Sequence, residues 1–99
     1  MSPRIDLDRA KIAYFCRRWN VSELALFGSV LRDDFTEESD VDVMVTFAPG
    51  ASIGLIAFSR MQLELSDIIG RNVDLVTKNS LRPLIKDAVL AQAETLYAA

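Results

Sequence analysis

Four apolar residues near the start, Ile12, Phe15, Cys16 and Trp19, recur at helical spacing and predict one buried helix face. Asp6 is placed to cap this helix, which is expected to end near Asn20. The period then changes. Val21–Phe27 reads as a strand that runs straight into Gly28-Ser29 and a short Val30-Leu31-Arg32 turn, a strand, glycine turn, helix-start sequence. Residues 33–39 are acidic and polar, as a loop would be. After them Val41, Val43 and Val45 alternate with Asp42, Met44 and Thr46 in a second strand, closed by Pro49-Gly50.

Ser52 can cap a helix over residues 52–69, with Gly70 where a helix commonly stops. Phe58, Met61, Leu65 and Ile68 make its expected core stripe. Ile56 and Leu63 lie seven apart on the other side, among Ser59, Arg60, Ser66 and Asp67, as a small candidate docking seam. Isolated exposed apolar residues are an equal reading. Residues 72–78 give a third strand, and Asn79-Ser80 are placed to cap a last helix. Pro83 is tolerated in its first turn, and Leu84, Ile85, Ala88 and Val89 share a face. Residues 94–97 form a short edge strand. The order αβαβαβα(β) predicts an α/β (α+β) domain over residues 1–99, a small mixed sheet of three to four strands with helices mainly on one face.

Composition narrows the chemistry. Ninety-nine residues leave room for one modest core, and 51% apolar content at a mean hydropathy of +0.20 is high for a chain with 25% charged residues. Some apolar surface is therefore expected outside the core, which points to a protein partner. The net charge of −3 provides no positive field for a long nucleic acid. One cysteine and no histidine exclude a disulfide framework, Ser-His or Cys-His catalysis and the usual zinc sites. Any metal must be hard and bound through oxygen. With no signal-like start and no membrane-length apolar run, the expectation is a cytoplasmic protein. Arg17, Arg18 and Arg71 read as solvated surface.

The candidate chemistry lies in Gly28-Ser29 followed, ten residues on, by Asp40-Val41-Asp42. Alternation along a strand sends Asp40 and Asp42 to one face, with Cα atoms about 6 to 7 Å apart, while Val41 and Val43 enter the core. Paired carboxylates can share Mg²⁺ ions, which stabilise attacking and leaving oxygens in phosphoryl displacement. Glycine lets the backbone approach a phosphate, and the helix start after it directs free N–H groups there. Ser29 adds a hydroxyl donor and Arg32 a nearby cation. Asp74, opposite in face to Val73 and Leu75, is a third carboxylate able to bind metal or accept the proton of an attacking hydroxyl. Taken singly, each of these residues is also an ordinary strand-face or turn residue.

At these residues the chain resembles the nucleotidyltransferases of the DNA polymerase beta superfamily, and specifically the minimal nucleotidyltransferase antitoxins encoded beside HEPN-domain toxins. Leu26-Phe27-Gly28-Ser29, Ser39-Asp40-Val41-Asp42-Val43, Gly70-Arg71-Asn72-Val73-Asp74-Leu75-Val76 and the terminal Leu96-Tyr97 carry the resemblance. It implies metal binding by Asp40, Asp42 and Asp74, and a phosphate turn at Gly28 and Ser29. It further implies an ATP-dependent antitoxin that adds AMP to a hydroxyl, typically of tyrosine, on a HEPN ribonuclease. Two positions depart from the pattern: Val30 replaces a frequent arginine and Asp33 a frequent glycine. An antitoxin acting by occlusion alone, or a transferase for a small molecule, are the other readings. No room remains in the chain for a separate acceptor-binding domain, so the acceptor must bring its own contacts.

Overall fold

The structure is a computed structural model that describes residues 7–28, 40–51, 53–80 and 83–98, without the side chains of 79 and 83–86. Helix α1 spans Arg9–Arg18, strand β1 Val21–Phe27, β2 Val41–Phe47, α2 Leu55–Ile69, β3 Val73–Thr77, α3 Pro83–Gln92 and β4 Glu94–Ala98. The strands form one sheet in the order β3-β2-β1-β4. β1 pairs antiparallel with both β2 and β4, whereas β2 and β3 are parallel, joined by α2 as a crossover. The expected mixed sheet and its added edge strand are both present.

Alternation along the strands decides what each face carries. Val41, Val43 and Val45 of β2, Leu24 and Leu26 of β1, and Val73 and Leu75 of β3 are buried together with Ile12, Phe15 and Cys16 of α1 and Met61, Leu65 and Ile69 of α2. α1 lies against β1 and β4, and α2 lies against β3 and α1. Both helices therefore cover one face. α3 carries the chain from the β3 edge to the β4 edge and touches β1 on its way.

Several boundaries differ from the sequence reading for local reasons. α1 starts at Arg9, and its cap is Asp8, whose Oδ1 accepts from the Lys11 N–H at 3.2 Å. Asp6, the expected cap, lies outside the described residues. The helix ends at Arg18, after which Asn20 takes a positive φ of 58°. α2 begins at Leu55 rather than near Ser52, which is outside the described residues; its cap is Gly54, with no side-chain hydrogen bond. Gly70 ends the helix in the left-handed conformation as expected, its N–H donating to the Ser66 carbonyl. Ile69, not Ile68, completes the buried stripe with Met61 and Leu65, while Phe58 and Ile68 are half-buried. Residues 78–80 form a 3-10 turn in which the Ser80 hydroxyl donates back to the Thr77 carbonyl at 2.8 Å; residues 81–82, where a cap of α3 would fall, lie outside the described residues. Pro83 is the first residue of α3, where its missing N–H costs nothing.

Candidate functional site

The end of β1 and the beginnings of β2 and β3 meet at one edge of the fold. Phe27 pairs with Asp42 across the antiparallel ladder, so Gly28, the next residue, lies beside the Asp42 side chain. Gly28 has φ +76°, a conformation that L side chains avoid. A methyl group there would overlap the Asp42 carboxylate, with Cγ of Asp42 only 3.1 Å from its position. Glycine is thus required twice, by the backbone and by the neighbouring carboxylate.

Asp42 is also the register partner of Asp74 in the parallel pair. Directly paired residues share a sheet face, with Cα atoms about 4.8 Å apart. This face is opposite to Val41, Val43, Val73 and Leu75, which are all buried beneath α1 and α2. Asp42 is half-buried and Asp74 exposed. Asp40 stands just ahead of β2 and is exposed; the strand is anchored beside it by the Val41 N–H, which donates to the Asn72 carbonyl at 2.9 Å. Ser29 and Arg32, the other expected phosphate ligands, lie outside the described residues, as do Val30 and Asp33.

The donor chemistry suits a hard divalent cation, since every candidate ligand is a carboxylate oxygen and two of them are register neighbours. Among the described residues no group of three acidic, histidine or cysteine side chains already stands in ligating arrangement. Register proximity and the close Gly28–Asp42 approach are what fit a cation here. A cavity of about 300 Å³ lies at the other end of β2 and β3, lined by Val45, Thr46, Phe47, Thr77 and Lys78. It contains none of the aspartates.

Other features were not legible. Arg18 pairs through both guanidinium nitrogens with Glu64, the second contact at 2.8 Å, and Trp19 Nε1 donates to the same carboxylate at 2.6 Å. Arg18 is therefore a link between α1 and α2 rather than only solvated surface. Arg71 is half-buried, with Nε shielded from solvent, again unlike the expected solvated residue. Ser66, expected on the outer side of α2, instead turns toward β3 and accepts from the Val73 N–H at 3.1 Å. The signal available for it was the pair Gln62 and Ser66, one helical turn apart. Ile56 and Leu63 are exposed as expected, and Leu55 and Tyr14 join them.

A mixed sheet with a glycine bend at one strand end, against adjacent strand-borne carboxylates, defines the class of small nucleotide-transfer domains. The nucleotidyltransferase-domain family model matches residues 9–94, and the chain belongs to that family. It is 36% identical over 85 residues to a candidate protein adenylyltransferase of Methanocaldococcus jannaschii, covering 86% of this chain and 89% of that one. It is 39% identical over 75 residues to the protein adenylyltransferase MntA of Thermococcus cleftensis, covering 76% and 74%. A crystal structure of a toxin–antitoxin with AMP-PNP superposes with a TM-score of 0.73 at 25% identity, over 94% of this chain and 75% of that one. The chain is accordingly a nucleotidyltransferase. Among its described residues no helix is long and apolar enough to cross a membrane.

Proposed function

We propose that this protein, a single nucleotidyltransferase domain, transfers AMP from ATP to a tyrosine hydroxyl of a HEPN-domain ribonuclease toxin and so acts as its cytoplasmic antitoxin. The observation that carries the reading is the register pairing of Asp42 with Asp74, with the Asp42 carboxylate lodged against Gly28. The naming of two relatives as protein adenylyltransferases, and the toxin–antitoxin character of a similar structure, support the acceptor class.

Asp40, Asp42 and Asp74 are the residues that would hold Mg²⁺, which when bound supplies positive charge to the phosphate oxygens. The chain itself does the rest. Gly28 lets the backbone approach the triphosphate without a methyl group in the way, and Ser29 and Arg32 add a hydroxyl and a cation to the phosphate side. Asp74, exposed at the sheet edge where an acceptor can reach it, takes the proton of the attacking hydroxyl as that oxygen bonds to the α-phosphorus. Pyrophosphate leaves on the opposite side of phosphorus.

The test is incubation with α-labelled ATP, Mg²⁺ and a HEPN-domain ribonuclease from the same genome. Label is expected on a tyrosine of the ribonuclease, and Asp42→Asn is expected to reduce transfer at least a hundredfold. Neutralisation of the ribonuclease by that variant without any label would instead establish occlusion as the mechanism.

A further inference from the structure

β3, which carries Asp74, is an edge strand of the sheet, with β2 as its one strand neighbour among the described residues. Its amides alternate, so those of Val73 and Leu75 face away from β2. Outward amides of an edge strand ordinarily meet water. Here each meets a side chain of α2. The Val73 N–H donates to Ser66 Oγ at 3.1 Å and the Leu75 N–H to Gln62 Oε1 at 3.0 Å. The Ser66 hydroxyl in turn donates to the Gln62 carbonyl at 2.8 Å, which commits its proton and leaves a lone pair for Val73.

The fit is metric. Residues four apart on a helix are separated by about 6 Å along its axis, and residues two apart on a strand by about 6.6 Å. The earlier helix residue meets the later strand residue, so the two elements run in opposite directions and both bonds form at once. Asp74 is the residue between the two anchored amides. Its side chain leaves the face opposite to Val73 and Leu75, so the two bonds reach it through the backbone.

We propose that Gln62 and Ser66 are positioning residues for Asp74: by fixing the backbone on both sides of it they keep its carboxylate beside that of Asp42. The inference rests on the reading of Asp74 as the third metal-binding carboxylate. Two like charges one strand apart repel, and the displacement open to them is outward movement of the edge strand. The two bonds from α2 oppose that movement.

The experiment uses the whole chain with Mn²⁺ as the probe, its affinity followed by electron paramagnetic resonance, alongside amide exchange at Val73 and Leu75 and thermal unfolding. Gln62→Met removes the acceptor at similar length, Ser66→Ala removes the other, and Gln62→Glu retains an oxygen acceptor. Ile69→Val serves as a core variant of similar small stability loss with both bonds intact. Gln62→Met and Ser66→Ala are expected to speed exchange of their partner amide about tenfold and to weaken Mn²⁺ binding about three- to tenfold. Gln62→Glu restores both within about twofold, and Ile69→Val leaves Mn²⁺ binding unchanged. Faster exchange with unaltered Mn²⁺ affinity in both acceptor-deleting variants overturns the proposal and leaves the bonds as edge cover. Asp74→Asn separates the two levels: wild-type Mn²⁺ affinity in that variant removes the reading of Asp74 itself.

Discussion

Gly28 lacks a side chain where the carboxylate of Asp42 fills the space one would need. Gly70 provides the comparison, because it has nearly the same φ, +80° against +76°, yet nothing lies within 4 Å of its absent Cβ. Each substitution to alanine should cost about 1 to 2 kcal/mol for the left-handed backbone. Only Gly28→Ala should also displace Asp42, lowering AMP transfer more than tenfold while Gly70→Ala keeps most activity; urea unfolding and transfer rates measured on both variants test this. Cys16 gives a second expectation at this scale. Burial pushes its thiol up to about 12, against an ordinary 9.0, with the nearby Arg17 charge acting the other way. Between those values the unfolded chain loses the proton and the folded one retains it. The unfolded state then binds fewer protons, so this residue lowers stability as pH rises, by at most about 1.4 kcal/mol per pH unit. Comparing wild type with Cys16→Ala from pH 8 to 11 should show a steeper alkaline loss in the wild type.

At the scale of elements, α1 and α2 are joined on their outer side by Glu64, which receives both Arg18 and Trp19. The pair is partly exposed, so its loss should cost no more than about 1 kcal/mol. Trp19 is the sole tryptophan, and Glu64→Gln should shift its fluorescence even where stability hardly moves. α2 offers a gain. Gly54 caps it at φ −81° and ψ 169° with no side-chain bond, and space around its Cβ is open. Gly54→Asp should accept an orphan N–H of the first turn and raise stability by a few tenths to about 1 kcal/mol, read as a higher Tm. These two helices also show what a sequence discloses about elements. Periodicity located both, and Gly70 marked the end of α2, because burial of one face and a left-handed stop are local requirements. Their starts were misplaced because Asp6 and Asp8 offer the same capping carboxylate, and because Gly54 caps α2 through its backbone alone, with no side chain to signal it.

Across the whole molecule, the pairing of Asp42 with Asp74 is the feature that alternation alone could only half disclose. Face could be read from Val73 and Leu75, but strand order, and hence adjacency, depends on the β2-α2-β3 crossover. The Ser66 and Gln62 bonds escaped for the same reason: they exist only once α2 lies along β3. The apolar excess expected from composition is found outside the core, with Leu55 82%, Ile56 77%, Leu63 67% and Tyr14 60% exposed. Since neither is buried, joint replacement of Ile56 and Leu63 by serine should move Tm by less than about 2 °C. If the proposed HEPN-domain partner docks on this seam, the same variant should weaken co-purification with it; full retention would rule the seam out.

The two rims of the sheet are finished differently. On β3 the outward amides of Val73 and Leu75 are taken by Ser66 and Gln62, whereas β4 is bulged opposite Leu24 and Ala25, and Arg9 Nη1 donates to its Leu96 carbonyl at 3.3 Å. A peptide grafted along β4 would lengthen the sheet about 14 Å and three strands from Asp74. An affinity handle or fluorescent tag built as such a strand would leave the acidic rim unobstructed.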